Sequence, residues 1–380
     1  MKKTEKYIML VLVLILIGTI YITKTNNKQE ETTPQIENTE TTENTQTTES
    51  TQSSVVTGDV ITLQNEAITI AKPGTYTLSG SSSETVTVDT EGEVTLVLSG
   101  VNIKSNEAAI YVKNADKVSV ILDDNTANTL EDGSSRSDEK INGTLYSTSD
   151  LNIKGDGSLT VISNFEDAIV SKDDLVITSG NITVQSVDDG IRGNDTLTIK
   201  GGTLNIEAQK DGLRSNNVKT LGKGTVNIEG GNITITAGDD GIQAIQSILI
   251  TGGTIDIITS TEGIEAPVVT IEAGEIDIYA TDDGINASAS EFITNGFSIN
   301  IKGGTLKVSV AQGDTDALDS NGDINISGGH IELSGQSTVD YDGSATFTGG
   351  TLIINGTEVN TLPNQMMGGQ GLQRPGGGRR

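Results

Sequence analysis

The chain has 380 residues, including 45 Gly and 5 Pro, and it contains no Trp and no Cys. Its formal net charge of -28 excludes binding to nucleic-acid phosphates and predicts self-repulsion unless cations offset it. Without Cys there is no disulfide, thiolate zinc site or lipoprotein anchor, and a single His excludes a His-based metal centre. Many Gly and few aromatic residues are typical of short strands joined by tight corners.

Residues 1–23 predict export. Lys2, Lys3 and Lys6 precede an apolar run over residues 7–22, which just reaches the length of an uncleaved membrane anchor. The residues after the run make a poor cleavage site, although a cleaved signal peptide remains the alternative. Either form places the rest of the chain outside the cytoplasm, anchored at the cell surface by a transmembrane segment or secreted.

Two segments of low complexity flank the central part of the chain. Residues 24–56 are almost entirely Thr, Glu, Asn and Gln, and such a composition predicts a disordered stalk. Residues 363–380 predict a flexible tail rich in Gly and Arg. The intervening residues 57–362 are expected to form one folded domain, in which residues 55–75 cover the N-terminal end.

A repeat of about 22 residues fills this domain. Each repeat has an alternating apolar segment, a Gly-Gly corner with a second such segment, and an acidic element of the type Asp-Asp-Gly-Ile. Three short strands in each period predict an all-β fold, a right-handed parallel β-helix with one coil per repeat. Successive coils of this single-stranded solenoid then stack at the interstrand spacing of about 4.7–4.9 Å.

Stacking the coils predicts a single file of acidic residues. Carboxylates about 5 Å apart repel one another by roughly 1 kcal/mol or more near a surface, so the file needs neutralisation. Calcium is a suitable cation because it takes six to eight oxygen ligands. The file comprises Asp167, Asp189, Asp211, Asp240, Glu262, Asp283 and Asp316, and three further acids lie beside it, Asp188, Asp239 and Asp282. We expect calcium ligands at Asp188, Asp189, Asp211, Asp239, Asp240, Glu262, Asp282, Asp283 and Asp316.

Basic residues accompany some coils. Arg192 and Arg214 each follow a file acid by three residues, and Lys210 directly precedes one. They either offset the acids or bind the carboxylates of a ligand. The coils of Asp240, Glu262 and Asp283 have no such residue, so calcium is expected there first. The structural alternative, an Asp-Gly turn in each coil, explains the doubled acids less well.

Insertions around residues 216–223 and 287–297 both follow the acidic element, and a third long loop spans residues 123–142. Insertions on one face of a solenoid often wall a binding groove. Neutral sugars are usually held by aromatic stacking, and this chain has no Trp. The composition therefore favours an acidic polysaccharide bound through calcium, with Arg192, Arg214 and Lys210 as candidate carbohydrate-binding residues.

The strings DEKINGTLYS at 138–147, IVSKDDLVI at 169–177 and DDGIRG at 188–193 resemble the clostridial carbohydrate-binding parallel β-helix proteins, which are related in fold to pectate lyases. The resemblance extends roughly over residues 58–362, and the Gly-rich tail containing Met is similar as well. It implies an extracellular β-helix that binds calcium and acidic polysaccharides such as polygalacturonate. It implies binding rather than cleavage, and it assigns no residue a role.

Other functions stay open beside calcium-dependent binding. A polysaccharide lyase needs calcium and a base, for which the candidates are Arg192, Arg214, Lys172 and Lys210. A glycosidase needs one distinct pair of carboxylates, whereas nearly every coil here carries acids. A rigid surface spacer, stabilised by calcium alone, is the third alternative.

Overall fold

The computed structural model describes residues 59–313 and 315–364, which form 36 β-strands arranged as three ladders. The first ladder contains β1 (Asp59–Gln64), β3 (Gly74–Ser82), β5 (Glu93–Lys104), β7 (Lys117–Leu122), β10 (Asp150–Gly155), β13 (Asp174–Ile177), β16 (Thr196–Ile199), β19 (Thr225–Ile228), β22 (Ser247–Ile250), β25 (Val268–Ile271), β28 (Ser298–Ile301), β31 (Asp323–Ile326) and β34 (Ala345–Phe347). The long strands β3 and β5 continue into the second ladder, so these two ladders form one 24-stranded sheet.

The second ladder contains β8 (Ala127–Glu131), β11 (Ser158–Ile162), β14 (Asn181–Ser186), β17 (Thr203–Ala208), β20 (Asn232–Ala237), β23 (Thr254–Ser260), β26 (Glu275–Ala280), β29 (Thr305–Val310), β32 (His330–Ser334), β35 (Thr351–Ile354) and β36 (Thr357–Val359). The third ladder is a separate 12-stranded sheet. It contains β2 (Ile68–Ile70), β4 (Val86–Asp89), β6 (Ile110–Asn114), β9 (Gly143–Ser147), β12 (Asp167–Ser171), β15 (Ile191–Gly193), β18 (Leu213–Ser215), β21 (Ile242–Ala244), β24 (Ile264–Glu265), β27 (Ile285–Ala287), β30 (Leu318–Ser320) and β33 (Val339–Tyr341).

From β7 to β33 each coil contributes one strand to each ladder, and the strands within a ladder run parallel. The exception is β36, which pairs antiparallel with β35 after the last coil. Equivalent residues of successive coils are paired, as Leu197 is with Val226 and Val226 with Ile248. The predicted all-β parallel β-helix is therefore confirmed.

The core is a continuous column of aliphatic side chains inside the coils. Alternating residues of each strand point inward, so Leu204 and Ile206 of β17 are buried while Thr203 and Asn205 are exposed. Burial of one such side chain stabilises the fold by about 1.5–3 kcal/mol. Short strands from every coil thus form one core, which explains how the chain folds with so few aromatic residues.

The corner between the first and second ladders requires glycine. Gly202 has a φ of +96° and Gly253 a φ of +95°, in the left-handed region that residues with a side chain rarely adopt. The repeated Gly-Gly of the sequence is explained by this turn. The acidic corner between the second and third ladders follows a different rule, described below.

The N-terminal end differs from the expectation. Residues 59–70 were predicted to lie in a cap, but β1 and β2 pair in parallel with the next coil. Leu63 and Ile70 reach the core, so this segment is the first coil itself. No helix in residues 59–313 and 315–364 is long and apolar enough to span a membrane. The predicted anchor 1–23, the stalk 24–56 and nearly all of the tail 363–380 lie outside the described residues.

Candidate functional site

The acids of the predicted file lie above one another at the start of the third ladder. The backbone N–H of Asp189 donates to Oδ1 of Asp167 (3.1 Å), and that of Asp211 donates to Oδ1 of Asp189 (3.3 Å). The pattern continues where Asp240 N–H donates to Oδ1 of Asp211 (3.1 Å). Each of these carboxylates therefore bonds an amide of the next coil. We call this file the acidic ladder, and part of its role is structural.

The glycine after each ladder acid is needed for close approach between coils. Neither Gly212 nor Gly241 has a left-handed φ, so the turn itself does not require glycine. A Cβ on Gly212 would lie 2.7 Å from the carbonyl oxygen of Gly241, and a Cβ on Gly241 would lie 2.6 Å from that of Gly263. The coils pack too tightly here for a side chain, and the Asp-Gly pair is therefore not a simple turn.

The buried Arg192 offsets the acids in the first coils of the acidic ladder. Its Nε lies 3.0 Å from Oδ2 of Asp167 and 3.6 Å from Oδ2 of Asp189. Burial raises the pKa of Asp167 to about 7, while the Arg192 guanidinium acts to lower it. The Arg192 side chain is only 7% exposed, so it serves the stack and offers little surface to a ligand.

Arg214 takes the same position one coil later but is more accessible. Its Nη1 lies 3.2 Å from Oδ2 of Asp189 and 3.1 Å from Oδ2 of Asp211, and the side chain is 30% exposed. Its Nε is buried and has no hydrogen-bond partner within the described residues. Lys210, the third predicted carbohydrate-binding residue, is exposed and pairs with Asp239 at 3.4 Å.

The next coils carry acids that basic side chains do not offset. Carboxylate oxygens of Asp240, Glu262 and Glu265 lie within 4.8 Å of one another, and we call these residues the acidic triad. Burial, followed by the neighbouring Asp211 and Glu265, raises the pKa of Asp240 to about 9. Burial, followed by Glu265, raises the pKa of Glu262 to about 8. Among the described ion pairs, none involves the triad.

Two amides flank the triad. Gln243 Nε2 donates to Oδ2 of Asp240 (3.1 Å) and to Oε2 of Glu265 (3.3 Å), and Asn286 Nδ2 donates to Oε2 of Glu262 (3.1 Å). Gln243 Oε1 and Asn286 Oδ1 are buried without a partner in the part of the chain that the structure describes. Reversing either amide exchanges its N and O positions, and would present an oxygen to the carboxylates. Three carboxylates and two such oxygens form a donor set that fits calcium.

The residue at one register position of the third ladder determines whether the ladder acids of a coil have a basic partner. Arg192 is paired with Arg214, Arg214 with Gln243, Gln243 with Glu265, and Glu265 with Asn286. This position, which we call the switch position, is basic in the earlier coils and neutral or acidic in the later ones. Sequence reasoning missed Glu265, although it follows Glu262 by the same three residues that separate Arg214 from Asp211.

The other predicted ligands are distributed along the molecule. Asp188 and Asp189 form a second group with Asp167, but Arg192 and Arg214 already pair there. Asp239 and Asp282 lie beside the ladder, and Asp282 is exposed. Toward its C-terminal end, the N–H of Asp316 donates to Oδ1 of Asp283 (2.7 Å). A third group, which the sequence analysis missed, comprises Asp150, Asp173 and Asp174.

A cavity of about 210 Å³ opens beside the triad. Residues 288–291, within the insertion predicted around 287–297, form one wall. Ser290 Oγ donates to the carbonyl oxygen of Ile245 (2.6 Å), which ties this loop to an earlier coil. Arg214 and Glu265 both line the cavity, with Gln243 between them in the ladder. An accessible arginine and one carboxylate of the triad thus face the same space.

The comparisons with known proteins agree with this architecture. A family model described as carbohydrate-binding domain-containing protein matches residues 64–297 and 261–360. The chain belongs to this family. A carbohydrate-binding domain-containing protein of Acetivibrio thermocellus is 41% identical over 137 residues, 34% of this chain and 48% of the relative. The chain therefore matches about half the length of that curated relative.

A solved structure, described as the gadolinium derivative of a polysaccharide lyase-like protein from C. thermocellum, is also similar. It is 35% identical, covers 63% of this chain and 88% of its own, and superposes with a TM-score of 0.51. This similarity supports a polysaccharide lyase-like fold for this chain. The predicted family resemblance is confirmed.

Proposed function

We propose that this carbohydrate-binding protein binds an acidic polysaccharide through calcium held at the acidic triad. The observation that carries the proposal is a group of three carboxylates without a basic partner, beside a cavity that Arg214 lines. Asp240, Glu262 and Glu265 would hold the ion, and the amide oxygens of Gln243 and Asn286 would complete its shell. Once bound, calcium offsets two of the three negative charges of the ionised triad and offers a coordination position to a ligand carboxylate.

Arg214 supplies the second contact to the ligand. Its side chain is partly exposed and its Nε lacks a partner among the described residues. A guanidinium already held by Asp189 and Asp211 loses little freedom when it pairs with a ligand carboxylate. Such a ligand is a polymer of uronic acids, and polygalacturonate is the first to test. The negative net charge makes binding dependent on calcium, since the bare protein repels a polyanion.

Three further features support the proposal. The family is carbohydrate-binding, and the relative of known structure is polysaccharide lyase-like. That relative is described as a gadolinium derivative, and gadolinium is a hard cation that carboxylate oxygens bind. The apolar run within residues 1–23 supports placement at the cell surface, where calcium and polysaccharides are both available.

A polysaccharide lyase is the second candidate, and Lys172 favours it. Burial, followed by the positive charge of Arg192, lowers the pKa of Lys172, which is the direction of shift that favours a catalytic base. Among the described residues, no carboxylate lies within 4.0 Å of its ammonium group. Arg192 itself is enclosed by Asp167 and Asp189, which makes it a poor base.

The test combines retention and product formation. The full-length chain is incubated with immobilised polygalacturonate and with neutral glycans, in millimolar calcium and in chelator. Absorbance of unsaturated uronate products is followed in parallel. Calcium-dependent retention without product supports binding, whereas product that is lost in Lys172→Gln establishes a lyase. If neither retention nor product is seen with any glycan, a structural surface protein is the remaining account.

A matched pair of variants locates the site. Glu265→Gln removes one triad carboxylate and should abolish calcium-dependent retention. Glu207→Gln removes an exposed carboxylate on the second ladder, away from the triad, and should leave retention unchanged. Equal retention by both variants would exclude the acidic triad as the calcium site.

A further inference from the structure

The switch position of the third ladder continues beyond Arg192 toward the N-terminal coils. Arg192 is paired with Val170, Val170 with Tyr146, and Tyr146 with Tyr111. The two tyrosine rings lie 5.9 Å apart between centroids with an interplanar angle of 55°. From Arg214 to Tyr111 there are four coil steps, roughly 19 Å at the usual spacing between strands. This line therefore carries guanidinium groups at one end and aromatic rings at the other; Arg214 and Tyr111 are partly exposed, whereas Arg192, Val170 and Tyr146 between them are buried.

Lys172 lies beside this line. Its Nζ is 5.7 Å from the centroid of the Tyr146 ring, a cation–π arrangement. The residue is half-buried, and in the described part of the chain no carboxylate pairs with it. Some lysines of this acidic protein have carboxylate partners, as Lys113 does in Asp89 and Lys307 in Asp277, whereas Lys154 has none among the described residues. Lys172 thus combines a charge without an ion pair among the described residues with a place beside an aromatic ring.

The opposite direction along the same line is acidic. After Asn286 the switch position is held by Asp319 and then by Asp340. Burial, followed by the neighbouring Asp283 and Asp316, raises the pKa of Asp319 to about 7. A polyanion leaving the cavity toward these coils meets carboxylates, whereas toward the N-terminal coils it meets the partly exposed Lys172 and Tyr111. The charge distribution therefore gives the groove a direction.

We propose that Lys172 and Tyr111 form a second sugar subsite, so that a bound polyuronate extends from the cavity toward the N-terminal coils. This inference rests on the proposed function. In this subsite the Lys172 ammonium pairs with a uronate carboxylate. The partly exposed ring of Tyr111, supported by Tyr146, packs against the apolar face of a sugar. Tyr146 is itself buried and orients the other two side chains.

The prediction concerns ligand length. A single uronate reaches only the calcium site and Arg214, whereas an oligouronate that spans roughly 19 Å, four coil steps, reaches Lys172 and Tyr111 as well. Affinity should therefore rise with chain length up to that span. The extra affinity should depend on the second subsite and not on the calcium site.

The experiment measures calorimetric affinities of the full-length chain for galacturonate and for a size series of oligogalacturonates in saturating calcium. Lys172→Gln should weaken binding of the long oligomers about tenfold, and Tyr111→Ala about fivefold, with calcium affinity unchanged. Lys154→Gln, a part-buried lysine of the first ladder without an ion pair in the described residues, is the control for Lys172. Tyr279→Ala, an exposed aromatic residue of the second ladder, is the control for Tyr111.

Each outcome decides the inference. Selective loss for long oligomers in Lys172→Gln and Tyr111→Ala supports it. Tight, calcium-dependent binding that neither variant changes overturns the second subsite and leaves the proposed function intact. A gain of affinity in Asp319→Asn, with no effect at Lys172, places the polymer over the C-terminal coils and also overturns it. Absence of binding by the unmodified chain at every length overturns the inference together with the proposed function.

Discussion

Glu265 occupies the register position that Arg214 occupies two coils earlier, so one place in the third ladder carries opposite charges. Arg214 pairs with the ladder acids of its own coil and of the preceding one, Asp211 and Asp189. Glu265 instead adds a third carboxylate to Asp240 and Glu262. The same fold thus neutralises its acids with arginines in one section and leaves them without an ion pair among the described residues in the next.

Gln243→Arg should move this boundary by one coil. By analogy with Arg214, the new guanidinium would lie between Asp211 and Asp240 and offset both. We expect higher thermal stability in chelator and at least about tenfold weaker calcium binding, since tenfold corresponds to the energy of one charged contact. Circular dichroism melting and calcium calorimetry measure the two effects. Gln185→Arg, at an exposed place on the second ladder, is the control. Unchanged calcium affinity would contradict the assignment of the triad.

The two arginines should differ in their contribution to stability. Arg192→Met leaves two buried acids without their cation and should lower the free energy of unfolding by about 3 kcal/mol or more. Arg214→Met should cost less, because water reaches a side chain that is 30% exposed. Urea midpoints in saturating calcium compare the variants. If Arg214→Met proved the more destabilising, Arg192 would not be the main internal counter-charge.

Much of the architecture was predictable from the sequence because the repeat determines it. The spacing of 22 residues between Asp167 and Asp189 is also the spacing of their hydrogen-bonded coils. Alternating apolar residues indicate the inward face of each strand. Of the two insertions expected to wall a groove, part of the one around residues 287–297 lines the cavity, whereas the one around residues 216–223 does not. These features depend on local periodicity, which a single sequence displays directly.

The site was less predictable because charge balance depends on lateral pairing. Glu265 lies outside the Asp-Gly element, so grouping acids by motif omits it. The enclosed Arg192 and the accessible Arg214 both follow an acid by three residues, so spacing alone does not distinguish them. Only register and depth separate the two arginines, and neither is visible in the spacing.

The ladder glycines provide a test of close packing between coils. A Cβ on Gly263 would lie 2.3 Å from the carbonyl oxygen of Gly284 and 2.4 Å from Cγ2 of Ile278. Gly263→Ala should therefore destabilise the chain by about 1–3 kcal/mol, the usual cost of overpacking. Gly222→Asn is the control, because no atom lies within 4 Å of a Cβ there and Asn tolerates the left-handed φ of +85°. Equal urea midpoints for both variants would refute the close-packing explanation.

Stability without calcium should fall as pH rises. The pKa of Asp240 is raised from 3.8 to about 9 and that of Glu262 from 4.5 to about 8. At a pH between the unfolded and the folded pKa of each group, the folded chain holds a proton that the unfolded chain has released. The free energy of unfolding therefore decreases with pH through this window. In chelator, melting temperatures should decline from about pH 5 to pH 9.

Calcium should reverse this dependence, because binding requires ionised carboxylates and so displaces their protons. At pH 7, calorimetry in buffers of different ionisation enthalpy should show protons released for each calcium bound. The stabilisation by calcium should then grow from pH 5 to pH 9. Asp240→Asn removes the group with the highest pKa and should reduce both the proton release and the pH dependence in chelator. Calcium binding without proton release would place the ion at acids that are already ionised, away from Asp240 and Glu262.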